Sequence, residues 1–179
     1  MEQETKDLIR DLQQHQPAAC QRLLSAYGPA VYRMIQRIVT CREDAEEVYQ
    51  DVFVKVLRGI EGFNSCQSSL ATWIKSIAYH ESLNFVRGKR PYIVSMDDNC
   101  LGIDTMEEPD DATQNEQTIQ QLEQALDRLP PHEQAVVSMF YYDNMSLADI
   151  AFVTGSNTST IGSQLSRIRK KLYKMIKTS

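Results

Sequence analysis

The sequence predicts an all-α protein: two small helical domains joined by an acidic flexible linker, the second containing a helix-turn-helix. Three observations predict it. Apolar residues recur at three- and four-residue spacing along most of the chain, and no useful run alternates as a half-buried strand would. The stretch from Pro91 to Asp127 holds no Lys or Arg, yet it carries ten of the 24 acidic residues. Near the C-terminus a short apolar-faced helix, a glycine and a longer basic helix follow one another, the order of a helix-turn-helix.

The chain opens on a polar, acidic run, Met1 to Asp7, unlike a signal peptide. A first helix is expected near Glu2–Gln14 and a second near Pro17–Thr40, with Pro17 suited to a first helical position. In the second, Leu23, Tyr27, Val31, Met34 and Ile38 form an apolar stripe that reads as core. A third helix, near Glu43–Gly59, buries Ala45, Val48, Val52, Phe53 and Val56 and turns Glu47, Gln50, Asp51, Val54 and Arg58 the other way. That second face suits either plain solvation or docking of another protein. A fourth helix, near Ser68–Gly88, sends Leu70, Ile74, Ile77, Ala78 and Phe85 to a core and Trp73, Ser76, His80, Leu83, Asn84 and Arg87 to another side. A stripe of aromatic, imidazole, amide and guanidinium groups can stack on and hydrogen-bond unpaired bases. It equally suits a half-buried Trp with polar neighbours. Arg87, Lys89 and Arg90 give its end a positive charge suited to phosphates.

Net charge is −5 and the pI about 5.2, acidic for a nucleic-acid binder. The imbalance is local. Outside the Pro91–Asp127 stretch the remaining acids are outnumbered by the 19 basic residues, so two mildly basic segments flank an acidic one. We divide the chain into residues 1–92, a linker at 93–113, and residues 114–179. Some twenty linker residues span roughly 65–70 Å when extended, enough for two modules to work at separated sites.

In the second module Ser146 and Asp149 have capping-box spacing, and Leu147, Ile150 and Ala151 give the short helix an apolar face. Gly155 supplies the turn, where a positive φ costs glycine little. The longer helix has Ile161, Leu165, Ile168 and Leu172 on its inner side and Ser159, Ser163, Ser166, Arg167 and Lys170 on its outer side. Small side chains permit close approach to base edges, and Arg and Lys engage phosphate or guanine. From Ile161 to Ser179 there is no acidic residue.

Cys20, Cys41, Cys66 and Cys100 are far apart, with no Cys-x-x-Cys pair or histidine pattern for zinc, so free thiols in a reducing cytoplasm are expected. No apolar run approaches the length of a membrane span. No Gly-rich phosphate loop, metal-ligand set or nucleophile–base constellation is visible, so neither cofactor, metal nor catalytic residues are expected.

At this point the chain resembles the RNA polymerase sigma factors of bacteria, in their compact extracytoplasmic-function (ECF) group. The resemblance rests on four blocks in order: Asp44 to Val56, Trp73 to Ala78, Ala125 to Pro131, and Leu147 to Leu172. It implies a transcription initiation factor that binds core RNA polymerase, recognises the −10 and −35 promoter elements and assists promoter melting. It assigns Glu47, Gln50 and Asp51 to the polymerase. Phe63, Trp73, Ser76, His80, Asn84 and Arg87 fall to the downstream element, as melted strand. Ser159, Thr160, Ser163, Gln164, Arg167 and Lys170 fall to the upstream element, as duplex. It implies an anti-sigma partner and a linker threading the polymerase, with no stable membrane insertion. Departures from the usual pattern are His80 in place of Asn, Tyr49 in place of a small or aliphatic residue, and Asn157 opening the reading helix in place of Ser. The alternative is a helix-turn-helix regulator that binds duplex DNA without polymerase.

Overall fold

The computed structural model describes residues 2–89 and 116–177. The expected linker at 93–113 and Cys100 lie outside the described residues. Among the described residues eight α-helices follow in order: α1 Glu2–Gln13, α2 Pro17–Ile38, α3 Arg42–Gly59, α4 Leu70–Lys89, α5 Glu116–Asp127, α6 Pro131–Val137, α7 Leu147–Thr154 and α8 Thr158–Lys177. A 3₁₀ turn, Ile60–Gly62, extends α3, and a π-helical turn, Ser138–Tyr142, extends α6. No strand occurs among the described residues.

Helix ends follow local chemistry. Pro17 at N1 starts α2, where its missing N–H costs nothing. Ser69 caps α4: its hydroxyl accepts the Thr72 amide at 3.1 Å, so the helix begins at Leu70, two residues beyond the expected Ser68 boundary. Pro130 and Pro131 turn the chain into α6, and Gln134 Nε2 donates to the carbonyls of Asp127 and Leu129 that the corner leaves open. Ser146 caps α7 by accepting the Asp149 amide at 3.1 Å, as the capping-box spacing implied. Gly155 closes it at φ 69°, with Ser156 N–H bonded to Ala151 O at 2.9 Å. This is the Schellman arrangement that satisfies terminal carbonyls. Asn157 Oδ1 accepts the Thr160 amide at 2.7 Å and starts α8.

α4 is the axis of the molecule. On one side it packs on α2 and α3; on the other it packs on α7. Leu23, Ile35, Val48, Val52, Ile60, Leu70 and Ile74 are fully buried around it. The five inner residues expected in α3, Ala45, Val48, Val52, Phe53 and Val56, are all buried. The second lobe adds Met139, Ile150, Val153 and Ile161 to the same contiguous core, while Leu129, Val137 and Ile168 make a small cluster under α5 and α8. The expected α7 face needs correction: Ile150, Ala151 and Val153 are buried, but Leu147 is exposed. Leu147 is the first residue of a short helix whose inner side is set by the angle at which it meets α4, which periodicity does not encode.

Candidate nucleic-acid and partner interfaces

Three faces carry the residues singled out from the sequence. On α3, Glu47, Gln50 and Asp51 are exposed together, with Val54 44% exposed and Arg58 beside them. Burying the opposite valines holds this acidic face outward. Its neighbour Tyr49 is half-buried rather than exposed. The ring meets Tyr32 edge-on at 5.6 Å and Phe53 at 4.8 Å, and burial pushes its hydroxyl pKa upward. Asp51 shares a small cavity with Asn84 and Phe85 of α4, so the α3 face and the α4 stripe meet edge to edge.

On α4, Trp73 is half-buried, its ring 5.2 Å from Phe63 and close to Gly59. Phe63 thereby belongs to the same surface. The loop between them is shaped by Asn64, whose side-chain oxygen accepts the Cys66 amide at 2.9 Å. The Ser68 hydroxyl in this loop is shielded and has no hydrogen-bond partner. Ser76 donates its hydroxyl to the Trp73 carbonyl at 2.8 Å, leaving mainly acceptor capacity outward. His80 is exposed, and its Nδ1 lies 2.7 Å from the Ser76 carbonyl. A carbonyl only accepts, so Nδ1 carries the proton and Nε2 of the neutral ring is left as an outward acceptor. Asn84 and Arg87 are exposed farther along.

On α8, Ser159, Thr160, Ser163 and Arg167 are exposed, while Gln164 and Lys170 are half-buried at the edges of the face. Ser159 donates to Asn157 Oδ1 at 2.8 Å, so its hydroxyl proton serves the cap. Lys171 is turned away and pairs with Glu133 at 2.9 Å. The net surface is the small-polar and basic face the sequence implied.

The sequence did not reveal that the first and last of these surfaces sit on lobes in direct contact. Thr72 of α4 donates to Asp149 of α7 at 3.1 Å. Lys75 pairs with Asp143 at 2.6 Å and lies 3.5 Å from the Met145 sulfur. Arg37 of α2 stacks over the Tyr142 ring at 4.3 Å. His132 is half-buried at the start of α6. Burial lowers its pKa first of all, Lys171 and Arg87 lower it further, and Glu133 opposes them. Lys75, interrupting an apolar run on α4, was the only hint of such a contact available in the sequence.

Among the described residues no group of three or more His, Cys, Asp or Glu is placed to hold a metal ion. Nor is any described helix long and apolar enough to cross a membrane. Cys20, Cys41 and Cys66 are free thiols.

An all-helical fold with an exposed acidic face, a polar-aromatic stripe and a helix-turn-helix has the organisation of a DNA-binding protein of the transcription-initiation class. Residues 23–92 match the family model for Sigma-70 region 2, and residues 119–172 match that for Sigma-70, region 4. The ECF RNA polymerase sigma-E factor of Haemophilus influenzae is 27% identical, over 94% of this chain and 93% of the relative. RNA polymerase sigma factor YlaC of Bacillus subtilis is 29% identical, over 74% of this chain and 77% of the relative. The fold is similar to that of CnrH, solved in complex with the cytosolic domain of CnrY, at TM-score 0.69 and 17% identity over 98% of both chains. It is also similar to the RpoE–NepR co-crystal structure from Bartonella quintana, at TM-score 0.63 and 21% identity, over 88% of this chain and 96% of that one. The chain belongs to the RNA polymerase sigma factors, in the ECF group.

Proposed function

We propose that this sigma factor works through the three faces just described. Glu47, Gln50 and Asp51 dock on core RNA polymerase. Phe63, Trp73, Ser76, His80, Asn84 and Arg87 engage the melted strand of the −10 element. Ser159, Thr160, Ser163, Gln164, Arg167 and Lys170 read the −35 duplex. The observation that carries this reading is the exposure of the α3 acidic face, which a duplex-binding regulator has no need of. Families of this kind supply recognition and leave nucleotide addition to the polymerase, so the chain itself performs no catalysis and acts in the cytoplasm. The two solved neighbours described as complexes, CnrH with CnrY and RpoE with the anti-sigma factor NepR, support an anti-sigma partner for this chain as well.

Asp51→Arg tests the docking face. The side chain is exposed, so helix content should be retained while copurification with core polymerase falls. A folded variant that copurifies normally rejects the assignment. A helix-turn-helix regulator would instead bind its operator tightly without polymerase and be indifferent to this change.

A further inference from the structure

α1 lies ahead of residues 23–92, and none of the three faces uses it. It packs on α2 with Leu8 and Leu12 buried, and Asp11 accepts Arg22 of α2 at 2.8 Å. Its last turn reaches farther. Gln13 Nε2 donates to the Ile60 carbonyl at 3.2 Å, in the 3₁₀ turn that leads from α3 to Phe63. A carbonyl only accepts, so the Gln13 amide nitrogen faces the turn and its oxygen faces away. The same carbonyl accepts the Phe63 amide at 3.2 Å, the bond that closes the turn. Beyond it Phe63 is extended at φ −65° and ψ 129°, with its ring 5.2 Å from Trp73. Trp73 lies against Gly59, where an added Cβ would stand 3.3 Å from the indole ring. Residues 59–63 are thus held by Gln13 and by the Trp73 ring. The neighbouring pair His15 and Glu61, 3.4 Å apart, is largely exposed and contributes little.

We infer that Gln13 is a positioning residue for the −10 element: its hydrogen bond to the Ile60 carbonyl sets how Phe63 meets Trp73, and so the aromatic surface offered to an unpaired base. The inference rests on the proposed assignment of Phe63 and Trp73 to the melted strand. A 3₁₀ turn has poorer hydrogen-bond geometry than an α-helix. Here the closing bond is at the long end of the usual N–H···O range. The turn also runs straight into an exposed loop, Asn64 to Gln67, with no packing of its own to hold it. A second donor from a separate helix fixes the acceptor that Phe63 depends on. α1 is a firm support because Leu12, the residue before Gln13, is buried. Stacking on a base requires the rings to be in place, and rings ordered beforehand bind at a lower entropic cost. An exposed glutamine with no such role would be interchangeable with any good helix former; one that positions the turn must donate.

Trp73 is the only tryptophan of the chain, so its fluorescence reads the turn without DNA or polymerase. In the full chain, Gln13→Ala and Gln13→Glu remove the donor, whereas Gln13→Lys keeps one. Ala, Glu and Lys are all good helix formers, so helix content should be unchanged throughout. The Ala and Glu variants should show a red-shifted Trp73 emission and stronger quenching by acrylamide, while the Lys variant stays near the parent. In holoenzyme, Gln13→Ala should weaken capture of a single-stranded −10 oligonucleotide by about two- to tenfold, the range of one net hydrogen bond. Polymerase affinity and −35 binding should be unchanged. Parental Trp73 signals in the Ala and Glu variants, or a Lys variant that changes as much as they do, overturn the positioning role. Altered Trp73 signals with parental oligonucleotide capture uphold Gln13 as the support of Phe63 and Trp73, and fault instead the assignment of that pair to the −10 element.

Discussion

The Tyr49 hydroxyl lies 2.5 Å from where a Cβ on residue 28 would stand, so Gly28 is what allows α3 to carry a tyrosine against α2. Tyr49 was the odd residue of the α3 block, and its ring is wedged between Tyr32 and Phe53 with little room to withdraw. In Gly28→Ala the new methyl must displace that ring, an overpacking change of about 1–3 kcal/mol, against a helix-propensity gain of about 1 kcal/mol. The variant should be destabilised in the parent background. In a Tyr49→Phe background, where the hydroxyl is gone, the same change should be neutral or stabilising. Urea denaturation of the four proteins measures this; equal effects in both backgrounds would refute the steric pairing.

Arg167 and Lys174 separate reading from positioning. Both are exposed on α8, but Arg167 lies among Ser163 and Gln164 whereas Lys174 lies nearly two turns farther along. Arg167→Ala should cost roughly 1–3 kcal/mol and relax preference at a restricted part of the −35 element. Lys174→Ala should weaken binding to all sequences alike and lower its salt dependence. Binding to a randomised −35 library checks this, and matching sequence profiles for the two variants count against the division of roles.

His80 presents an imidazole where the family pattern has Asn. With Nδ1–H held by the Ser76 carbonyl, the outward Nε2 accepts a hydrogen bond, whereas an Asn amide offers both donor and acceptor. His80→Asn should shift base preference within the melted −10 element and leave polymerase affinity and −35 recognition unchanged. Transcription from a library randomised over the −10 element reads this directly. An unaltered profile at normal activity would make His80 a surface residue without a reading role.

His132 makes stability depend on pH. Burial holds its folded pKa below the ordinary value of 6.5, so as pH falls through that value the unfolded chain takes up a proton that the folded chain resists. The contribution to stability is complete above about pH 7. It is lost progressively as pH falls through 6.5 toward the lower folded pKa. The urea midpoint should therefore fall on acidification from neutral pH in the parent, and fall less in His132→Gln. Parallel curves for the two proteins would exclude His132 as the group responsible.

The helix interiors and caps were legible because they are local. The inner face of α3, the Ser146–Asp149 capping box, the Gly155 turn and the Asn157 cap each depend on residues within a turn or two of one another, so periodicity and capping chemistry suffice. The outward placement of Glu47, Asp51, His80, Ser163 and Arg167 follows from the same periodicity. The pairing of Phe63 with Trp73, the seat of Tyr49 over Gly28 and the exposure of Leu147 were not legible, because each is set by how one helix lies against another.

The sequence by itself determined that the chain is helical, where most helices begin and end, which residues face outward on α3 and on the reading helix α8, and that an acidic segment divides two basic ones. Tertiary structure alone decided that the two lobes close on each other through α4 and α7, bringing Thr72 to Asp149 and Lys75 to Asp143 across 77 and 68 residues. The reason is one of range. Helix propensity, amphipathic period and capping act over one or two turns, whereas a bond between side chains dozens of residues apart exists only once packing has fixed both backbones. In the one-dimensional pattern Asp149 is fully accounted for as a capping residue, and its second oxygen acquires a partner only when α7 docks on α4.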